Sequence, residues 1–579
     1  MNKHAISVSP LLIGLLLVVA SPAHAVDWYV SPTGTLTSAC TARSTPCSLA
    51  SAAASAMAGD TLYLASGSYG QLFIAHTGTE AAPITVKADD CATPIIESAV
   101  SVDADQTAGV SSEVGEYLHF EGLIVRGWST GFGNHWAGGT DSTEVSNGHW
   151  QIKNCISYSN GRTGFTFFSG PSYQLINSIA AHNGSSTTHA WSSGVTMFEA
   201  TGTNLVQGVI SFENTDEQNH TDGSGFIVDE GSNGVTFLNN IAFGNSGSCF
   251  RLTKSSGTIF VNNTCYHNSQ FGSQATGPTN PSELYFTNAG VTQQDVNFKN
   301  NVIVGTGMSP AGSQAIQNQP PSGWSNNAVS TGAATFFTAP DGANPDFTLA
   351  SSASTLIGKG AAGTGVPTTD IGFDPKCLVK RAPKMFGLVP ALSRWQYDID
   401  TDYIAAKGGV DKCFNAGTRP ATPDIGAYNN GPVKTYTATC MQGPGGTATT
   451  GGGAGAGGGA GAPGAGAPAT GGGNAGGAGP TGGGASGVGT GGIPASTNAG
   501  ASGVGASPTG TGGAAGTATA GGASGAAAGN LPPSTSGGGN DASGCGCRTA
   551  SSPISGSRSV FALLGLVAAV VLRRRRQQV

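Results

Sequence analysis

Five copies of a short motif, an Ile or Thr followed four positions later by Asn, recur along the middle of the chain. The copies read ISYSN, IAAHN, ISFEN, IAFGN and TCYHN, and they end at Asn160, Asn183, Asn214, Asn245 and Asn268. Successive Asn positions are 23, 31, 31 and 23 residues apart, so the repeating unit has 23 residues and two units carry an insertion of eight. An all-β sandwich also has short, regularly spaced strands, but it gives no reason for an Asn to return in phase.

The units also contain β-rich runs bounded by Gly, Ser or Cys, namely GFTFF, GVTMF, GFIVD and CFRLT. Units of this length without helical periodicity predict an all-β fold, a right-handed parallel β-helix in which each unit forms one coil. Successive coils lie about 4.8 Å apart, so we expect Ile over Ile to build the core and Asn over Asn to form an amide ladder. A second column of small or amide residues lies upstream of each motif: Asn154, Asn177, Gly208, Asn239 and Asn262.

The solenoid, with an N-terminal cap and a C-terminal extension, is expected to occupy residues 26–440, with about ten coils between residues 60 and 345. Residues 48–58, SLASAAASAMA, predict a helix that caps its N-terminal end. Residues 1–25 have the charged start, apolar run and Ala-x-Ala site of a secretory signal peptide.

The C-terminal part of the chain differs in composition from the rest. From Gly443 to Asn540 there are 40 Gly and no charged residue, which predicts a disordered Gly/Ala-rich stalk over residues 441–543. Residues 544–579 hold Cys545 and Cys547, a short apolar segment and an Arg cluster. This tail resembles the C-terminal sorting tails of myxobacterial surface proteins, and that resemblance implies attachment to the cell envelope. A membrane-anchoring helix is the alternative. The protein is therefore expected to be exported, either to the cell surface or outer membrane or as a secreted protein, and to be a monomer.

Residues 26–540 contain 18 basic and 31 acidic residues, a net charge of −13. Such a charge argues against nucleic acid as a partner, because nucleic-acid binding needs a basic face. It would also repel an acidic polymer unless a cation intervenes.

Nine cysteines precede the tail, and an odd number leaves at least one unpaired. Disulfides are expected in an exported chain, and proximity in the sequence favours Cys40 with Cys47 and Cys377 with Cys413.

Six acidic residues fall between Glu213 and Glu230 with no Lys or Arg among them. Oxygen-rich ligand sets select Ca²⁺, so we predict a calcium site formed by Asp216, Asp222, Asp229 and Glu230. The eight-residue insertion is expected to project Asp216 to Asp222 as a loop over the side of the solenoid. A solvated acidic loop is the alternative.

Basic residues follow in phase on the next coil, where Arg251 is predicted opposite Ile227 and Lys254 opposite Glu230. Arg251 suits a substrate carboxylate because of its forked guanidinium. Lys254 is a candidate base, although neighbouring acids raise a Lys pKa and favour a structural ion pair with Glu230. His220 and His182 are further candidate bases.

Four tryptophans, Trp128, Trp136, Trp150 and Trp191, lie within or near the insertions between coils. Trp136 and Trp191 are predicted to bind substrate by stacking on sugar rings. Covering the coil ends is the alternative role for these side chains.

The segments DWYVSPTGT, AGDTLYLASGSYG, APITVKA, NPDFTLASSAS and PDIGAYN resemble signatures of secreted bacterial β-helix proteins of the pectate-lyase superfamily. The coils from YLHFEGLIVRG at Tyr117 onward are similar to pectate lyases of the ninth polysaccharide-lyase family. Where that family carries its catalytic Lys, this chain has Asp229, and residues 245–250, NSGSCF, replace the family's acidic calcium cluster.

Three functions follow as hypotheses. The first is a calcium-dependent lyase that cleaves an extracellular, uronate-containing polysaccharide by β-elimination. The second is a glycan-binding or adhesive surface protein without catalysis, and the third is a hydrolase that uses Asp222 and Asp229 as paired carboxylates. We predict from the sequence that Asp222→Ala and Arg251→Ala each abolish turnover with little loss of thermal stability.

Overall fold

A computed structural model describes eleven stretches of the chain: residues 25–35, 40–104, 108–112, 114–133, 147–270, 282–287, 296–305, 316–317, 323–331, 335–381 and 396–430. The predicted signal peptide, stalk and C-terminal tail, including Cys545, Cys547 and residues 560–572, lie outside the described residues. Within the described ranges, neither α-helix is long or apolar enough to traverse a lipid bilayer.

Short strands make up most of the described residues. In chain order they are β1 (Asp27–Val30), β2 (Thr61–Leu64), β3 (Gly67–Tyr69), β4 (Leu72–Phe73), β5 (Ile84–Ala88), β6 (Pro94–Glu97), β7 (Ala108–Ser111), β8 (Leu118–Glu121), β9 (Ile124–Arg126), β10 (Thr130–Gly133), β11 (Gln151–Lys153), β12 (Ile156–Tyr158), β13 (Phe165–Phe168), β14 (Gln174–Ile176), β15 (Ile179–Ala181), β16 (Ser193–Phe198), β17 (Leu205–Gln207), β18 (Ile210–Phe212), β19 (Ser224–Asp229), β20 (Thr236–Leu238), β21 (Ile241–Phe243), β22 (Phe250–Thr253), β23 (Ile259–Val261), β24 (Thr264–Tyr266), β25 (Leu284–Thr287), β26 (Asn297–Lys299), β27 (Val302–Gly305), β28 (Ile316–Gln317), β29 (Gly323–Ser325), β30 (Ala328–Thr331), β31 (Phe337–Ala339), β32 (Asp346–Leu349), β33 (Leu378–Arg381) and β34 (Gln396–Ile399). The helices are α1 (Leu49–Ser55) and α2 (Thr401–Lys407), with 3₁₀ turns at Pro375–Cys377 and Val410–Cys413.

The strands form three long parallel sheets. Sheet A has the order β1-β2-β5-β8-β11-β14-β17-β20-β23-β26-β29, sheet B the order β3-β6-β9-β12-β15-β18-β21-β24-β27-β30, and sheet C the order β28-β25-β22-β19-β16-β13-β10-β7-β4. Each coil contributes one strand to each sheet, so the fold is an all-β, right-handed parallel β-helix, as predicted. The four β-rich runs of the repeat form β13, β16, β19 and β22.

The predicted amide ladder is present and fully buried. Asn160, Asn183, Asn214, Asn245 and Asn268 are each 0% exposed. Each of the first four donates from Nδ2 to the Oδ1 of the next, at 2.7 to 2.9 Å. At the end of the column, Asn268 donates from its backbone N and from Nδ2 to the two carboxylate oxygens of Glu283, at 2.8 and 2.7 Å.

The residues of the upstream column lie at corners of the solenoid. Asn154, Asn177, Gly208, Asn239 and Asn262 all have φ between 47° and 66°, the left-handed region that Asn and Gly tolerate best. They turn the chain between sheets A and B. A second amide ladder runs one residue later, at Asn240, Asn263, Asn301 and Asn327, with Nδ2 to Oδ1 distances of 2.9 Å.

The isoleucine column is in register, but it does not line the interior of the solenoid. Ile156, Ile179, Ile210 and Ile241 pair along sheet B and are at most 1% exposed. They belong to a hydrophobic cluster that is separate from the interior of the solenoid. The residues of sheet B that line the interior are instead those next to the isoleucines, such as Ala180 and Ala242. Because successive side chains of a strand point to opposite faces, the isoleucines face outward. The predicted stacking of Ile over Ile in a dry core is confirmed, but this core lies on the outer face of sheet B and not in the interior of the solenoid.

A C-terminal extension, described over residues 335–381 and 396–430, covers this outer face. It carries β31 with β32 and β33 with β34 as antiparallel pairs, and Phe347, Phe373 and Ile404 join the isoleucines in the outer cluster. The left-handed Asn column also binds the extension: Asn239, Asn262 and Asn300 donate from Nδ2 to the carbonyls of Thr369, Asp424 and Ala361 at 2.7 to 2.9 Å.

The N-terminal cap is confirmed as helix α1. Ser48 caps this helix by accepting a hydrogen bond from the backbone N of Ser51, and Leu49, Ala52 and Ala53 are buried in the core.

Both predicted disulfides, Cys40–Cys47 and Cys377–Cys413, are present, together with a third between Cys249 and Cys265. Cys91 is also disulfide-bonded. Cys155 is free and buried, which agrees with the odd count.

Candidate functional site

Two of the predicted site residues, Asp229 and Arg251, lie on the outer face of sheet C, in β19 and β22. Asp222, Glu230 and Lys254 lie just beyond the ends of these two strands. Parallel pairing places Thr196, Ile227, Arg251 and Tyr285 side by side on successive coils. The predicted alignment of Arg251 with Ile227 is therefore confirmed. In the same way, Phe198 lies beside Asp229.

Arg251 and Asp222 form a buried ion pair. Arg251 Nη1 contacts Asp222 Oδ1 and also donates to the carbonyl of Thr221 at 3.2 Å. The side chains are 7% and 1% exposed. A charge with so little exposure needs a partner of opposite sign, because desolvation of an unpaired charge is costly. The guanidinium also lies 5.6 Å from the ring centroid of Tyr285, a cation–π contact.

Asp216 lies next to Asp222 of this pair and is also buried. Its Oδ2 accepts from the backbone N and hydroxyl of Thr221 and from the backbone N of Asp222, at 3.1 to 3.3 Å. Its Oδ1 is among the buried oxygens without a hydrogen-bond partner in the described part of the chain. Burial, with a smaller contribution from the charge of Asp222, raises the pKa of Asp216 to about 6. Asp216 and Asp222 are therefore buried, while Glu217 between them is half-buried. Because its two aspartates point inward, the loop is neither a projecting calcium loop nor a fully solvated acidic loop.

Asp229 ends β19 and is 0% exposed. Its Oδ1 accepts from the backbone N of Glu230 at 2.9 Å, and its Oδ2 has no hydrogen-bond partner among the described residues. Burial raises the pKa of Asp229 to about 6, opposed by Arg251 and reinforced by Asp222 and Glu230. This carboxyl is consequently a stronger base than an ordinary aspartate.

Lys254 and Glu230 occupy neighbouring corners just beyond the sheet. Their Nζ and Oε1 atoms are 2.6 Å apart, and the side chains are 35% and 20% exposed. Both residues have left-handed φ angles, 50° and 46°, so the turns direct them to the same rim. The ion pair that the sequence favoured for Lys254 is formed, and it leaves Lys254 bound to an acid.

The two predicted histidines lie in different places. His220 is half-buried in the loop beside Asp216, and its backbone N donates to the carbonyl of Asp216 at 2.8 Å. His182 lies on the other side of the solenoid, where its Nε2 is 2.6 Å from the carbonyl oxygen of Tyr397 in the extension. It is therefore a structural contact rather than part of this site.

Trp191 is 40% exposed. It lies two residues before Ser193, whose register partner Ser224 lies two residues after Asp222, so Trp191 and Asp222 occupy corresponding corners of adjacent coils. Trp136 lies outside the described residues. Trp128 and Trp150 are 9% and 1% exposed and belong to the interior core, so their assignment to the insertions was wrong.

The predicted calcium ligands do not come together as one set. Within the described ranges, Cys249, Cys265 and Glu283 form the one group of three potential ligand residues with its atoms within 4.8 Å of one another, and its cysteines form a disulfide. Asp222 and Glu230 are each bound to a basic side chain instead. Asp216, Asp222, Asp229 and Glu230, as arranged here, do not fit a shared Ca²⁺ ion.

Sequence reasoning missed Phe198 and Tyr285. Both could have been found by aligning alternate residues of the β-rich runs, because Phe198 precedes Asp229 by one coil and Tyr285 follows Arg251 by one coil. The run that contains Tyr285, LYFT, lacks the Gly that opens three of the four other runs, so the repeat did not reveal it.

The chain is similar to one family model and to several solved structures. The family model described as "Pel9A-like, right handed beta helix region" matches residues 28–217. Pectate lyase Pel9A is 16% identical with a TM-score of 0.43, over 71% of this chain and 97% of that one. A rhamnogalacturonan lyase is 16% identical with a TM-score of 0.34, over 54% and 90%. An alginate lyase from Paenibacillus sp. str. FPU-7 is 14% identical with a TM-score of 0.31, over 49% and 96%.

No curated protein matches the sequence. The structural similarities have low identity and TM-scores below 0.5, so the fold rests on the strand pairing together with the family model. Over residues 28–217 the chain is similar to the Pel9A-like right-handed β-helix region.

Proposed function

We propose that this protein is a polysaccharide lyase that cleaves a uronate-containing polymer by β-elimination on the outer face of sheet C. The observation that carries the proposal is that neighbouring coils hold a cation, which can bind a carboxylate, and a carboxyl group, which can accept a proton. Arg251 presents a fixed guanidinium, and Asp229, in the preceding coil, presents a buried carboxyl oxygen without a hydrogen-bond partner in the described residues. The match of residues 28–217 to the Pel9A-like β-helix model supports the coarser class, a polysaccharide-active β-helix.

The two groups match the needs of the reaction. Arg251 would contact the uronate carboxylate and stabilise the charge that develops when the adjacent carbon loses its proton. Asp229 would take that proton, since its pKa is raised, and because its side chain is 0% exposed, substrate binding must open a path to this carboxyl. The bond to the leaving oxygen then breaks, that oxygen takes up a proton, and a carbon–carbon double bond forms without consumption of water. His220, which the sequence suggested as a base, is half-buried near Asp216 and is instead proposed here as the donor for the protonation step.

The test is incubation of the full chain with uronate polymers, with ultraviolet absorbance and reducing ends measured together. Unsaturated ends that absorb in the ultraviolet support elimination. Retention of polymer without either product would support the adhesive alternative and would contradict the proposed lyase.

A hydrolase is the second candidate, because Asp216 and Asp229 are two buried carboxyls with pKa values of about 6. A proton donor in glycoside hydrolysis must keep its proton near neutral pH, which such an environment allows. Reducing ends that form without ultraviolet absorbance would favour this reaction over elimination.

Chelation is expected to leave cleavage unchanged. Arg251 and Lys254 already neutralise Asp222 and Glu230, so the site does not depend on a divalent ion for its charge balance. Rates with EDTA and with added Ca²⁺ check this expectation. Loss of product in EDTA that Ca²⁺ restores would instead support the calcium dependence predicted from the sequence.

The pH dependence should report the proposed base. A base acts when deprotonated, so kcat/KM should rise with pH and level off above pH 6, near the pKa of Asp229.

Asp229→Asn should lower kcat/KM by roughly 10²- to 10⁴-fold, the usual contribution of a general base. Asp216→Asn is the matched comparison, since it alters a second buried acid of similar pKa. If Asp229→Asn retains near-normal rates and Asp216→Asn does not, the assignment to Asp229 is wrong.

Export, display on the envelope through the C-terminal tail, and a monomeric state remain predictions from the sequence. We propose an extracellular polysaccharide as the substrate on that basis. Cell fractionation with an antibody against the solenoid would locate the protein.

A further inference from the structure

The outer face of sheet C changes character along the solenoid. At β13 and β16 the outer residues Thr166, Phe168, Thr196 and Phe198 are half-buried. From β19 onward the outer residues Ile227, Asp229, Arg251 and Tyr285 are at most 6% exposed. Among the described residues, the two earlier strands therefore provide the accessible surface that leads to the site.

This accessible surface is apolar. Phe168 and Phe198 pair in register, with ring centroids 4.8 Å apart and an interplanar angle of 8°. The next residue in the same column is Asp229. A polymer that reaches Asp229 along the solenoid therefore passes over the edges of these two rings, and successive coils, spaced about 4.8 Å apart, place the rings under neighbouring sugar units.

The same surface offers little to bind a carboxylate. The sequences of β13 and β16, FTFF and SGVTMF, contain no charged residue. The corner after β16 is acidic, with Glu199 accepting a hydrogen bond from Ser169 at 3.1 Å. Arg162 precedes β13 at the opposite edge of the sheet and is half-buried. A uronate placed over Phe198 would therefore lose water without gaining a cation and would lie near Glu199, which is unfavourable on both counts.

We infer that the sugar units over β13 and β16 are neutral or esterified, and that the substrate is a heteropolysaccharide that places a free uronate at Arg251. This inference rests on the proposed function and narrows its substrate class. Neutral and esterified sugars expose apolar C–H faces that gain contact with Phe168 and Phe198, and they avoid the cost of an unpaired charge.

Three polymers and two variants test the inference. The polymers are a homopolymer of free uronates, the same polymer after methyl esterification of part of its units, and an alternating polymer of a uronate and a neutral sugar. We expect wild type to cleave the second and third with higher kcat/KM than the first. Phe198→Lys supplies the missing cation and should move the ratio about 10-fold toward the homopolymer, the factor that 1.4 kcal/mol of added attraction gives.

Phe73→Lys is the matched control. Phe73 is 39% exposed on β4 of the same sheet, three strands before β13, so the substitution adds the same charge away from the proposed path. It should leave the ratio unchanged. A wild-type preference for the homopolymer, or an equal shift in Phe73→Lys, would overturn the inference while leaving β-elimination intact.

If no polymer is cleaved, the proposed function fails, and retention of the full chain in native gels containing each polymer still decides the specificity. Stronger retention by the esterified or alternating polymer, reduced in Phe198→Lys, supports the inference. Stronger retention by the homopolymer, or none by any polymer, overturns it.

Discussion

Replacing Arg251 by Met is expected to lower the free energy of unfolding by about 3 to 5 kcal/mol and to abolish polymer cleavage. The side chains of Arg251 and Asp222 are 7% and 1% exposed, so removal of the guanidinium leaves a buried carboxylate without its counter-charge. The loss of cleavage follows separately, since the proposed contact to the substrate carboxylate disappears. Equilibrium unfolding in urea and the cleavage assay measure the two effects.

A double-mutant cycle separates the stability contributed by the Arg251–Asp222 ion pair from the contributions of the two side chains alone. Asp222→Asn added to Arg251→Met removes the uncompensated charge, so most of the lost stability should return while cleavage stays absent. Arg251→Lys keeps a charge but not the planar fork, and should retain more stability than Arg251→Met. Equal destabilisation of the single and double variants would show that the ion pair contributes little.

Glu283→Gln is expected to stabilise the protein at neutral and alkaline pH. Burial raises the pKa of Glu283 to about 8 from its ordinary 4.5, although the hydrogen bonds from Asn268 oppose the shift. A raised pKa means that the folded state holds the proton more tightly than the unfolded state. The stability contributed by this group is therefore complete below pH 4.5 and declines as the pH rises to about 8.

Gln cannot ionise, and its oxygen can accept from Asn268 as the Asn oxygens of the ladder do. The difference in free energy of unfolding between Glu283→Gln and wild type should therefore grow from pH 4.5 to pH 8, reaching on the order of 4 kcal/mol. Unfolding curves at several pH values test this. Glu199→Gln, at a half-buried corner, controls for the loss of a charge; a pH-independent difference for Glu283→Gln would contradict the expectation.

The parts of the fold that the sequence predicted are those that the repeat specifies residue by residue. Asn160, Asn183, Asn214, Asn245 and Asn268 return in phase because each amide both donates to the next and accepts from the one before, so every coil needs the same residue. Strand register follows from that column, which is why Arg251 could be placed beside Ile227 before the structure was known.

The direction of the isoleucines could not be read from the same repeat. An in-phase Ile is equally consistent with an inward or an outward face, since both faces of sheet B are buried. The outcome depends on the extension, described over residues 335–381 and 396–430, whose sequence shows no repeat from which its packing against sheet B could be predicted.

The sequence predicted which residues of the candidate site lie close together, but not how deeply they are buried. Asp222, Asp229 and Arg251 do lie on neighbouring coils, but their burial changes what they do. An exposed Asp222 would have been a free metal ligand, and its loss would have spared stability; the buried Asp222 is committed to Arg251 instead. Desolvation depends on how the insertion loop folds back, which composition and spacing do not specify.

The contacts between the extension and the left-handed Asn column also restrict how this protein can evolve in length. Asn239, Asn262, Asn300 and Asn326 bind the carbonyls of Thr369, Asp424, Ala361 and Lys359, each from a different coil. Duplication or deletion of one coil among them would displace the later anchors by about 4.8 Å relative to the earlier ones, farther than a hydrogen bond can stretch. Coil number and extension must therefore change together, so that gain or loss of a single repeat, easily tolerated by an open solenoid, is selected against in this one.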